Sequence, residues 1–374
     1  MTLLKLDIYA VRNIQKQSFL PSPGINFIYG DNASGKSSII EAIFILGRAK
    51  SFRATSIKSV IHFEHSELIV ASQIELANGN RGQLGVQMDG KHFSSRINQQ
   101  TSTNRADLVS ALPLQIIHPK SYELLDAGPQ LRREFLDWGV FNNDEQFLLA
   151  WRNFKKALSQ RNALLKTKQV RHINVWDKEL AVYGTIVSEY RQQYTDKLVP
   201  VFKQIIGKFL DLENIGLRFI SGWDESKLLE QALAEDLDRD LRYGFTHSGP
   251  HRGDFQLLIN NRLAKDFVSR GQLKLLVLSL KLAQVQLIIN EQQRSTCILI
   301  DDFSAELDVT NRSKLLDYLN LIDCQAFITA TEVDEFGDLT NIKNSKMFHV
   351  KHGTIDQVQC STWNTQAKQE IGAS

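Results

Sequence analysis

Hydrophobic and polar residues alternate near both ends of the chain, whereas the middle follows a helical spacing. At the N-terminus, Leu4, Leu6 and Ile8 alternate with Lys5 and Asp7, and this period of two predicts an amphipathic β-strand. Further strand-like runs continue to about residue 118 and return from about residue 244. The two ends are therefore predicted to form mixed α/β structure around a helical middle.

Two segments in the middle of the chain place large apolar residues three and four positions apart. They are Phe147, Trp151, Phe154, Leu158 and Leu165, followed by Trp176, Leu180, Tyr183, Val187, Tyr190, Tyr194 and Leu198. This spacing predicts two helices that pack antiparallel to each other. The aromatic residues among them are interpreted as core packing, and base stacking is the less favoured alternative.

A glycine-rich loop lies between a predicted strand, Ile25–Tyr29, and a predicted helix, Ile39–Leu46. The loop and the residue after it are Gly30, Asp31, Asn32, Ala33, Ser34, Gly35, Lys36, Ser37 and Ser38. In such a loop the backbone N–H groups converge on phosphates, the lysine pairs with the β- and γ-phosphates, and the last hydroxyl binds Mg²⁺. The chain is therefore predicted to bind ATP and Mg²⁺, with Lys36 as a catalytic residue.

Two carboxylates, Asp301 and Asp302, follow a second apolar run that begins at Cys297. Ligands bind at the carboxyl ends of strands in α/β sheets. Asp301 is therefore predicted to hold Mg²⁺, and Asp302 to orient or deprotonate an attacking water. Alone, such a pair is equally typical of a strand end followed by an acidic turn. The phosphate loop favours the functional interpretation.

A third candidate site opens a long helical stripe of apolar residues. The segment is Ser269, Arg270, Gly271 and Gln272. A serine and free backbone N–H groups at a helix start suit a terminal phosphate. This segment is therefore predicted to contact the nucleotide.

Basic residues are concentrated in the first of the two predicted middle helices and in the turn after it. The candidate DNA-binding residues are Arg152, Lys155, Lys156, Arg161, Lys166 and Lys168. Lysine and arginine bind phosphates without reading bases, so such a patch predicts salt-sensitive, sequence-independent DNA binding. A solvated helix face is the alternative, and only the ATPase context favours DNA. The acidic stretch from Asp224 to Asp240 is interpreted as a solvated helix or a protein-contact surface.

Composition adds little to this interpretation. The formal net charge is only +2, so any basic surface must be local. Cys297, Cys324 and Cys360 lack paired spacing, and no disulfide framework or zinc site is indicated. The N-terminus does not resemble a secretory leader, and no apolar run approaches the roughly 20 residues needed to cross a bilayer. A cytoplasmic protein with no membrane partner is expected.

The order of these motifs resembles the ATP-binding-cassette (ABC) heads of chromosome-maintenance (SMC) and recombination proteins, and above all the RecF family. The landmarks that carry the resemblance are Arg12-Asn13, the segment Gly47 to Arg53, Gly128 to Asp137, Gly249 to Arg252, and Ser269 to Leu276. SMC proteins separate the two halves of the head by long coiled coils, whereas only about two ordinary helices intervene here. The short insertion favours RecF.

This resemblance implies a fold class and a division of the chain. The expected fold is α/β: an ABC-type P-loop ATPase head of mixed sheets with helices, into which a short α-helical arm domain is inserted. The head is expected to comprise residues 1–118 and 244–374, and the arm residues 119–243.

The resemblance also extends the site and suggests a mechanism. It implies nucleotide contacts from Arg12, Asn13 and Asp308 and a Mg²⁺ contact from Gln115. The segment from Ser269 to Gln272 is expected to cap the nucleotide of a second subunit, because in the family it does not reach the loop of its own chain. ATP would thereby join a homodimer that clamps double-stranded or gapped DNA, and slow hydrolysis would release it.

The implied partners are RecR and RecO, acting together to load RecA. Transporter cassettes usually carry glutamate at the position of Asp302, so the shorter carboxylate argues against a transporter motor. A weak ATPase that acts as a switch is expected. An ABC-type motor of a protein complex that does not bind DNA remains the alternative.

Overall fold

The computed structural model describes residues 2–76, 79–293, 295–322 and 324–358. By packing, the chain divides into two compact units: Met1–Ser121 with Ile288–Ser374, and Tyr122–Leu287. We call them the first and the second unit. The N-terminal segment contributes β1 (Thr2–Val11), β2 (Ile14–Phe19), β3 (Ile25–Tyr29), α1 (Lys36–Arg48), β4 (Leu68–Glu75), β5 (Arg81–Met88), β6 (Phe93–Ile97), β7 (Gln100–Ser102), α2 (Arg105–Ala111) and β8 (Leu114–Ile117).

The middle of the chain contributes α3 (Glu123–Asp126), α4 (Pro129–Asn143), α5 (Phe147–Thr167), α6 (Ile173–Phe209), β9 (Ile215–Ile220), α7 (Leu229–Glu235), α8 (Leu237–Tyr243), β10 (Asp254–Ile259), β11 (Arg262–Leu263) and α9 (Arg270–Gln292). The C-terminal segment contributes β12 (Thr296–Ile300), α10 (Phe303–Glu306), α11 (Val309–Leu321), β13 (Cys324–Ala330), β14 (Lys346–Lys351) and β15 (Thr354–Val358).

The first unit contains two six-stranded sheets. One is antiparallel, in the order β2-β1-β4-β5-β6-β7, and the other has the order β15-β14-β3-β13-β12-β8. In the second sheet β14, β3, β13, β12 and β8 run parallel. Side chains of α1 and of both sheets form one buried core cluster. The predicted α/β class is confirmed, and the near-continuous apolar runs of β12 and β13 are those of strands buried on both faces.

The second unit is built around α5 and α6. Phe147, at the start of α5, packs against Tyr190, and Arg161, nearer the end of α5, pairs with Asp177. As the residue number rises along α5, the number of its partner on α6 falls. The two helices are therefore antiparallel, as the spacing predicts. Phe154 and Tyr194 are buried, which agrees with their interpretation as core residues.

A three-stranded sheet, β11-β10-β9, also belongs to the second unit. Strand β10 pairs along its whole length with β9, from Asp254 opposite Ile220 to Ile259 opposite Ile215. This pairing joins residues after 244 to a strand inside the expected arm. By packing, the second unit extends to Leu287, and the division into head and arm at residue 243 stays a prediction.

Helix α9 corrects one expectation from the sequence. In the described parts of the chain it is the one helix long and apolar enough to cross a membrane by length and composition, with a mean hydropathy of 1.5. The expectation that no apolar run approaches that length was wrong. Because 72% of the window is buried within the protein, α9 has the burial of a core helix.

Two of the three cysteines lie on neighbouring strands of the mixed sheet. Cys297 and Cys324 are free and buried, and burial raises the pKa of the Cys297 thiol. A thiol in such surroundings packs as a small apolar side chain. Cys360 lies outside the described residues.

Candidate nucleotide-binding site

The glycine-rich loop connects the carboxyl end of β3 to the N-terminus of α1. Helix α1 begins at Lys36, its first turn contains no acidic residue, and no side chain caps it at Gly35. The first N–H groups of a helix have no intrahelical partner, and the helix dipole places partial positive charge at that end. The start of α1 is thus available to an anion, as the phosphate-loop sequence predicts.

Two glycines of the loop have conformations that other residues rarely adopt. Gly30 has a φ of 150°, and a Cβ at this position would lie 2.2 Å from the carbonyl oxygen of Val350. Gly35 has a φ of 122°, and its Cβ would lie 3.1 Å from Nδ2 of Asn13. A side chain at Gly30 would therefore push the loop away from β14.

Asn13 holds the loop from the turn after β1. Its Nδ2 donates to the carbonyl oxygen of Ser34 at 3.1 Å, and Ser38 Oγ donates to its Oδ1 at 2.8 Å. Asn13 also lines the pocket in front of the loop. The structure thus brings Asn13 to the phosphate loop, in agreement with the resemblance.

Arg12, its neighbour, contacts protein groups. The guanidinium donates through Nε and Nη2 to the buried carboxylate of Glu41 and through Nη1 to the Ser59 carbonyl. This bidentate pair fixes α1 to the turn after β1. The predicted contact of Arg12 with nucleotide stays a prediction.

Lys36 folds back over the loop. Its Nζ donates to the carbonyl oxygens of Gly30, at 2.5 Å, and of Asp31, at 2.9 Å. Burial lowers the pKa of the Lys36 ammonium, against the opposing fields of Asp302 and Asp301. The cation therefore lies against the glycine-rich loop at the start of α1, where a phosphate would be bound.

Asp301 lies directly after β12 and meets the first turn of α1. Ser37 Oγ donates to its Oδ1 at 2.8 Å, and Thr329 Oγ1 donates to the same atom at 3.0 Å. Burial raises the pKa of the Asp301 carboxyl, and the two hydroxyl contacts oppose that rise. A buried carboxylate beside the last hydroxyl of a phosphate loop provides the oxygen ligands that Mg²⁺ takes from such proteins. The donor set fits Mg²⁺.

Asp302 is exposed and has a left-handed backbone conformation, with φ 62° and ψ 67°. Its backbone N–H donates to Thr329 Oγ1 at 2.9 Å. Aspartate tolerates this region better than most residues, and such conformations cluster at functional sites. Thr329 therefore contacts both consecutive aspartates, the side chain of Asp301 and the backbone of Asp302.

These groups surround one pocket in the first unit. Its lining residues are Asn13, Asn32, Ala33, Ser34, Gly35, Lys36, Ser37, Ser38, Arg53, Asp301, Asp302, Thr329, Ala330 and Thr331. The loop residues, Asn13, Asp301 and Asp302 are brought together as predicted. Four members were not named as site residues: Arg53, and Thr329, Ala330 and Thr331 at the carboxyl end of the buried strand β13. Burial raises the pKa of Asp301, and the field of Arg53 opposes that rise.

Gln115 does not fit its predicted role. It is buried in the middle of β8, where it pairs with Ile298, whereas Ile117 pairs with Ile300 beside Asp301. Two strand residues span about 6.6 Å, so Gln115 lies below the level of the carboxylates. It does not line the pocket, and the predicted Mg²⁺ contact is corrected.

Asp308 caps a helix. Its Oδ1 accepts from the backbone N–H of Asn311 and its Oδ2 accepts from the Asn311 side chain, each at 2.8 Å. The backbone contact with Asn311 holds the pKa of Asp308 below its usual value. Asp308 therefore stabilises the N-terminus of α11, and its predicted nucleotide contact stays a prediction.

The segment Ser269–Gln272, in the second unit, forms a reciprocal cap at the start of α9. Ser269 N–H donates to Gln272 Oε1 at 2.9 Å, and Gln272 N–H donates to Ser269 Oγ at 3.2 Å. Arg270 lies over the Tyr122 ring, 4.8 Å from its centroid. The predicted helix start is confirmed, and its conformation is fixed before any ligand arrives.

The predicted DNA-binding residues divide into two groups. Exposed side chains along α5 and at its end are Arg152, Lys155, Lys156, Lys166 and Lys168. The predicted contact of these five with DNA stays a prediction.

Arg161 is the correction within this set. Its side chain is fully buried and contacts Asp177, Asp240, Thr246 Oγ1 and the Leu233 carbonyl. Since all its donors face inward, it cannot meet DNA phosphates. Asp240, which ends the acidic stretch interpreted as a solvated helix or a protein-contact surface, is fully buried as its partner.

Comparisons with known proteins agree with this geometry. The profile of the "RecF/RecN/SMC N terminal domain" matches residues 2–356. The chain is 40% identical over 362 residues to the "DNA replication and repair protein RecF" of Pseudomonas fluorescens strain SBW25, covering 96% of this chain and 98% of that protein. It is 39% identical to the protein of the same name from Pseudomonas aeruginosa strain LESB58, with the same coverage.

Solved structures add the fold. The "Structure of the recombination mediator protein RecF-ATP in RecFOR pathway" superposes with a TM-score of 0.84 at 26% identity, covering 96% of this chain and 98% of that chain. The Smc head domain with an extended coiled coil from Pyrococcus furiosus gives a TM-score of 0.58 at 16% identity, covering 99% of each chain, and shares the fold alone. Since profile and sequence both match over nearly the whole chain, this protein belongs to the RecF family.

Proposed function

We propose that this protein is an ATP-switched, DNA-binding protein of DNA replication and recombinational repair. One observation carries the ATP switch: the phosphate loop meets a buried carboxylate, Asp301, whose two described hydrogen-bond partners, Ser37 and Thr329, are neutral hydroxyls. The fields of Arg53 and Lys36 reach Asp301, but no salt bridge to it is present among the described residues, and burying a carboxylate without a paired cation is costly. A cation bound with the nucleotide would supply that charge. Relatives named for replication and repair support the biological role.

ATP and Mg²⁺ are the proposed cofactors. Ser37 and Asp301 would hold the metal ion, which neutralises charge on the β- and γ-phosphates when it is bound. Lys36 would exchange its contacts with the Gly30 and Asp31 carbonyls for the phosphates. The N–H groups at the start of α1 would bind the same phosphates.

Hydrolysis is proposed to be slow and to act as a release step. Asp302 would orient the attacking water, because its side chain is exposed beside the pocket while Thr329 fixes its backbone. An aspartate reaches less far than a glutamate, so a low rate is expected. The protein would thus be a weak ATPase in which hydrolysis sets how long the ATP-bound dimer persists.

The binding state is proposed to be a homodimer with two nucleotides. Each nucleotide would lie between the loop of one chain and the segment Ser269–Gln272 of the other, and the cap that fixes this segment supports such a contact. The ABC-type head is proposed to comprise residues 1–118 and 244–374, with residues 119–243 as the arm. DNA, double-stranded or gapped, would contact the exposed lysines and arginine of α5 through its phosphates.

Partners and location follow from the relatives. Similarity to a protein of the RecFOR pathway supports RecO and RecR as partners, and we propose that the protein assists RecA loading on gapped DNA. Such work takes place in the cytoplasm.

The test combines binding and assembly. Binding of duplex and gapped DNA and sedimentation would be measured in ATP, in ADP and without nucleotide, over a salt series. We expect dimers and DNA binding in ATP alone, with a salt dependence that reflects several phosphate contacts. Dimers that ignore DNA would overturn the DNA-binding proposal and favour an ABC-type motor of a protein complex.

A charge reversal on α5 locates the DNA contact. Lys155→Glu with Lys156→Glu should weaken DNA binding at least tenfold and flatten the salt dependence, while ATP-driven dimers persist. The matched control is Lys203→Glu with Lys208→Glu, two exposed lysines on α6. Equal loss from both pairs would show a general charge effect and reject the assignment to α5.

Lys36→Ala should abolish ATP binding, and with it both dimers and DNA binding.

A further inference from the structure

Three aromatic side chains cluster at the end of α8. Tyr243 and Phe245 have ring centroids 6.2 Å apart, and His247 lies 5.5 Å from Tyr243 and 4.4 Å from Phe245. Tyr243 is 59% exposed and Phe245 38% exposed. We call these three residues the aromatic cluster. Adjacent exposed rings form contiguous apolar surface, which is a feature of interaction sites.

The aromatic cluster rests on a rigid base. His247 donates its backbone N–H to the buried carboxylate of Asp240 at 3.0 Å, and its ring Nδ1 lies 2.6 Å from the same oxygen. Thr246, between Phe245 and His247, donates through N–H and Oγ1 to Asn162 Oδ1 at 2.8 Å. Because the backbone between the rings is fixed by buried polar contacts, the rings are displayed with little freedom to collapse inward.

Exposed basic side chains lie near the rings. The Arg252 guanidinium lies over Phe245, 5.0 Å from the ring centroid. Lys166 runs beside the loop, since a Cβ at Gly244 would lie 3.4 Å from its Cγ. Arg242 is exposed in the last turn of α8, and the exposed carboxylate of the same helix, Asp238, lies in its first turn. The exposed charged side chains described next to the rings are thus basic, and the carboxylate that contacts His247, Asp240, is buried.

We propose that the aromatic cluster stacks on an unpaired base of single-stranded DNA. Aromatic faces stack on any base, and neighbouring lysine and arginine bind the backbone phosphates, which is how single strands are held without sequence preference. A duplex does not expose the face of an internal base, so this site takes a single-stranded end or gap. The inference rests on the proposed function and deepens it: α5 contacts duplex phosphates, and the cluster recognises where the duplex ends.

The test uses DNA that carries 2-aminopurine in a short single-stranded extension, and a blunt duplex of the same sequence, both with ATP present. In the unaltered protein we expect tighter binding of the extended DNA and quenching of 2-aminopurine by stacking. Tyr243→Leu with Phe245→Leu keeps apolar surface but removes the aromatic faces. This variant should lose roughly tenfold in affinity for the extended DNA, lose the quenching, and bind the blunt duplex unchanged.

The control is Phe63→Leu, which alters an exposed phenylalanine stacked on a histidine, His62, in the first unit. It should leave both DNAs bound as before, and thermal unfolding of each variant checks the fold. The stacking site would be overturned if the variant Tyr243→Leu/Phe245→Leu still bound the extended DNA and still quenched 2-aminopurine. This holds even if the variant had lost binding to a protein partner. Failure of the unaltered protein to bind blunt duplex in ATP would instead count against the proposed function.

Discussion

Two buried aspartates, Asp240 in the second unit and Asp301 in the first, have opposite surroundings. Asp240 faces a guanidinium, Arg161, and the imidazole of His247. Asp301 accepts hydrogen bonds from two hydroxyls, Ser37 and Thr329, and no salt bridge to it is present among the described residues. The protein pairs Asp240 directly with a cation, whereas the cations near Asp301, Arg53 and Lys36, act on it only through their fields.

Both aspartates are buried, so burial does not distinguish a structural carboxylate from a functional one, whereas the partners of each carboxylate do. A carboxylate paired with arginine inside a protein is worth little net stability but is costly to break. A buried carboxylate without a direct ion pair destabilises the fold, and functional sites are where proteins commonly retain such a cost. Asp240 thus stabilises the second unit and the base of the aromatic cluster, whereas Asp301 marks the cation site of the nucleotide pocket.

The largest effect is expected at Asp302, the exposed neighbour of Asp301. Asp302→Asn keeps the shape but removes the charge that would orient water, so ATP hydrolysis should fall by about 10²- to 10⁴-fold. ATP-dependent dimers should persist and DNA release should slow. Hydrolysis and sedimentation of the variant would be measured together. An unchanged hydrolysis rate would remove Asp302 from the mechanism.

Neutralising Asp240 tests directly whether this carboxylate has a structural role. Asp240→Asn leaves Arg161 with Asp177 alone in a fully buried site, and we expect a loss of about 3 kcal/mol in the free energy of unfolding. Urea unfolding measures this loss. Asp238→Asn, an exposed position on the same helix, should change stability by less than about 0.5 kcal/mol. Equal small effects from both variants would show that Asp240 is not a structural ion-pair partner.

Residues that act within one contiguous segment were predictable from the sequence. The phosphate loop, the strand before Asp301 and the helix start at Ser269 each carry their own local signal, and the structure confirms these elements. The full burial of Arg161 was not predictable, because its partner Asp240 lies 79 residues away and its neighbours on α5 are exposed lysines. A run of charges alone does not reveal which member turns inward.

Neighbouring strands explain the other differences. Thr329 reaches Asp301 because β13 pairs with β12, a relation that no spacing along the chain encodes. Gln115 was placed near the metal by its sequence position before Pro119, but the register of β8 sets it two residues below the sheet edge. The boundary of the second unit depends likewise on the pairing of β9 with β10. Register and pairing are tertiary properties.

Asp301→Asn should change the free energy of unfolding in the opposite direction to Asp240→Asn. The asparagine Oδ1 still accepts from Ser37 and Thr329, while the buried charge is gone, so the nucleotide-free protein should gain about 1 kcal/mol in the free energy of unfolding. The same variant should lose the rise in melting temperature that ATP with Mg²⁺ gives. Asp317→Asn, an exposed aspartate in the first unit, is the control. Destabilisation by Asp301→Asn would contradict the distinction between the two carboxylates.

The pH dependence of that gain tests the cause. Burial raises the pKa of Asp301 above its ordinary value of 3.8, so the folded state holds this proton more tightly than the unfolded chain does. Below pH 3.8 the group is protonated in both states and the variant should match the unaltered protein. As the pH rises through the raised folded pKa, the stabilisation due to the bound proton is lost. Urea unfolding of both proteins from acidic to mildly alkaline buffer should therefore show a gap that opens with pH and then levels off. A gap of constant size would mean that packing, rather than the buried charge of Asp301, distinguishes aspartate from asparagine at this position.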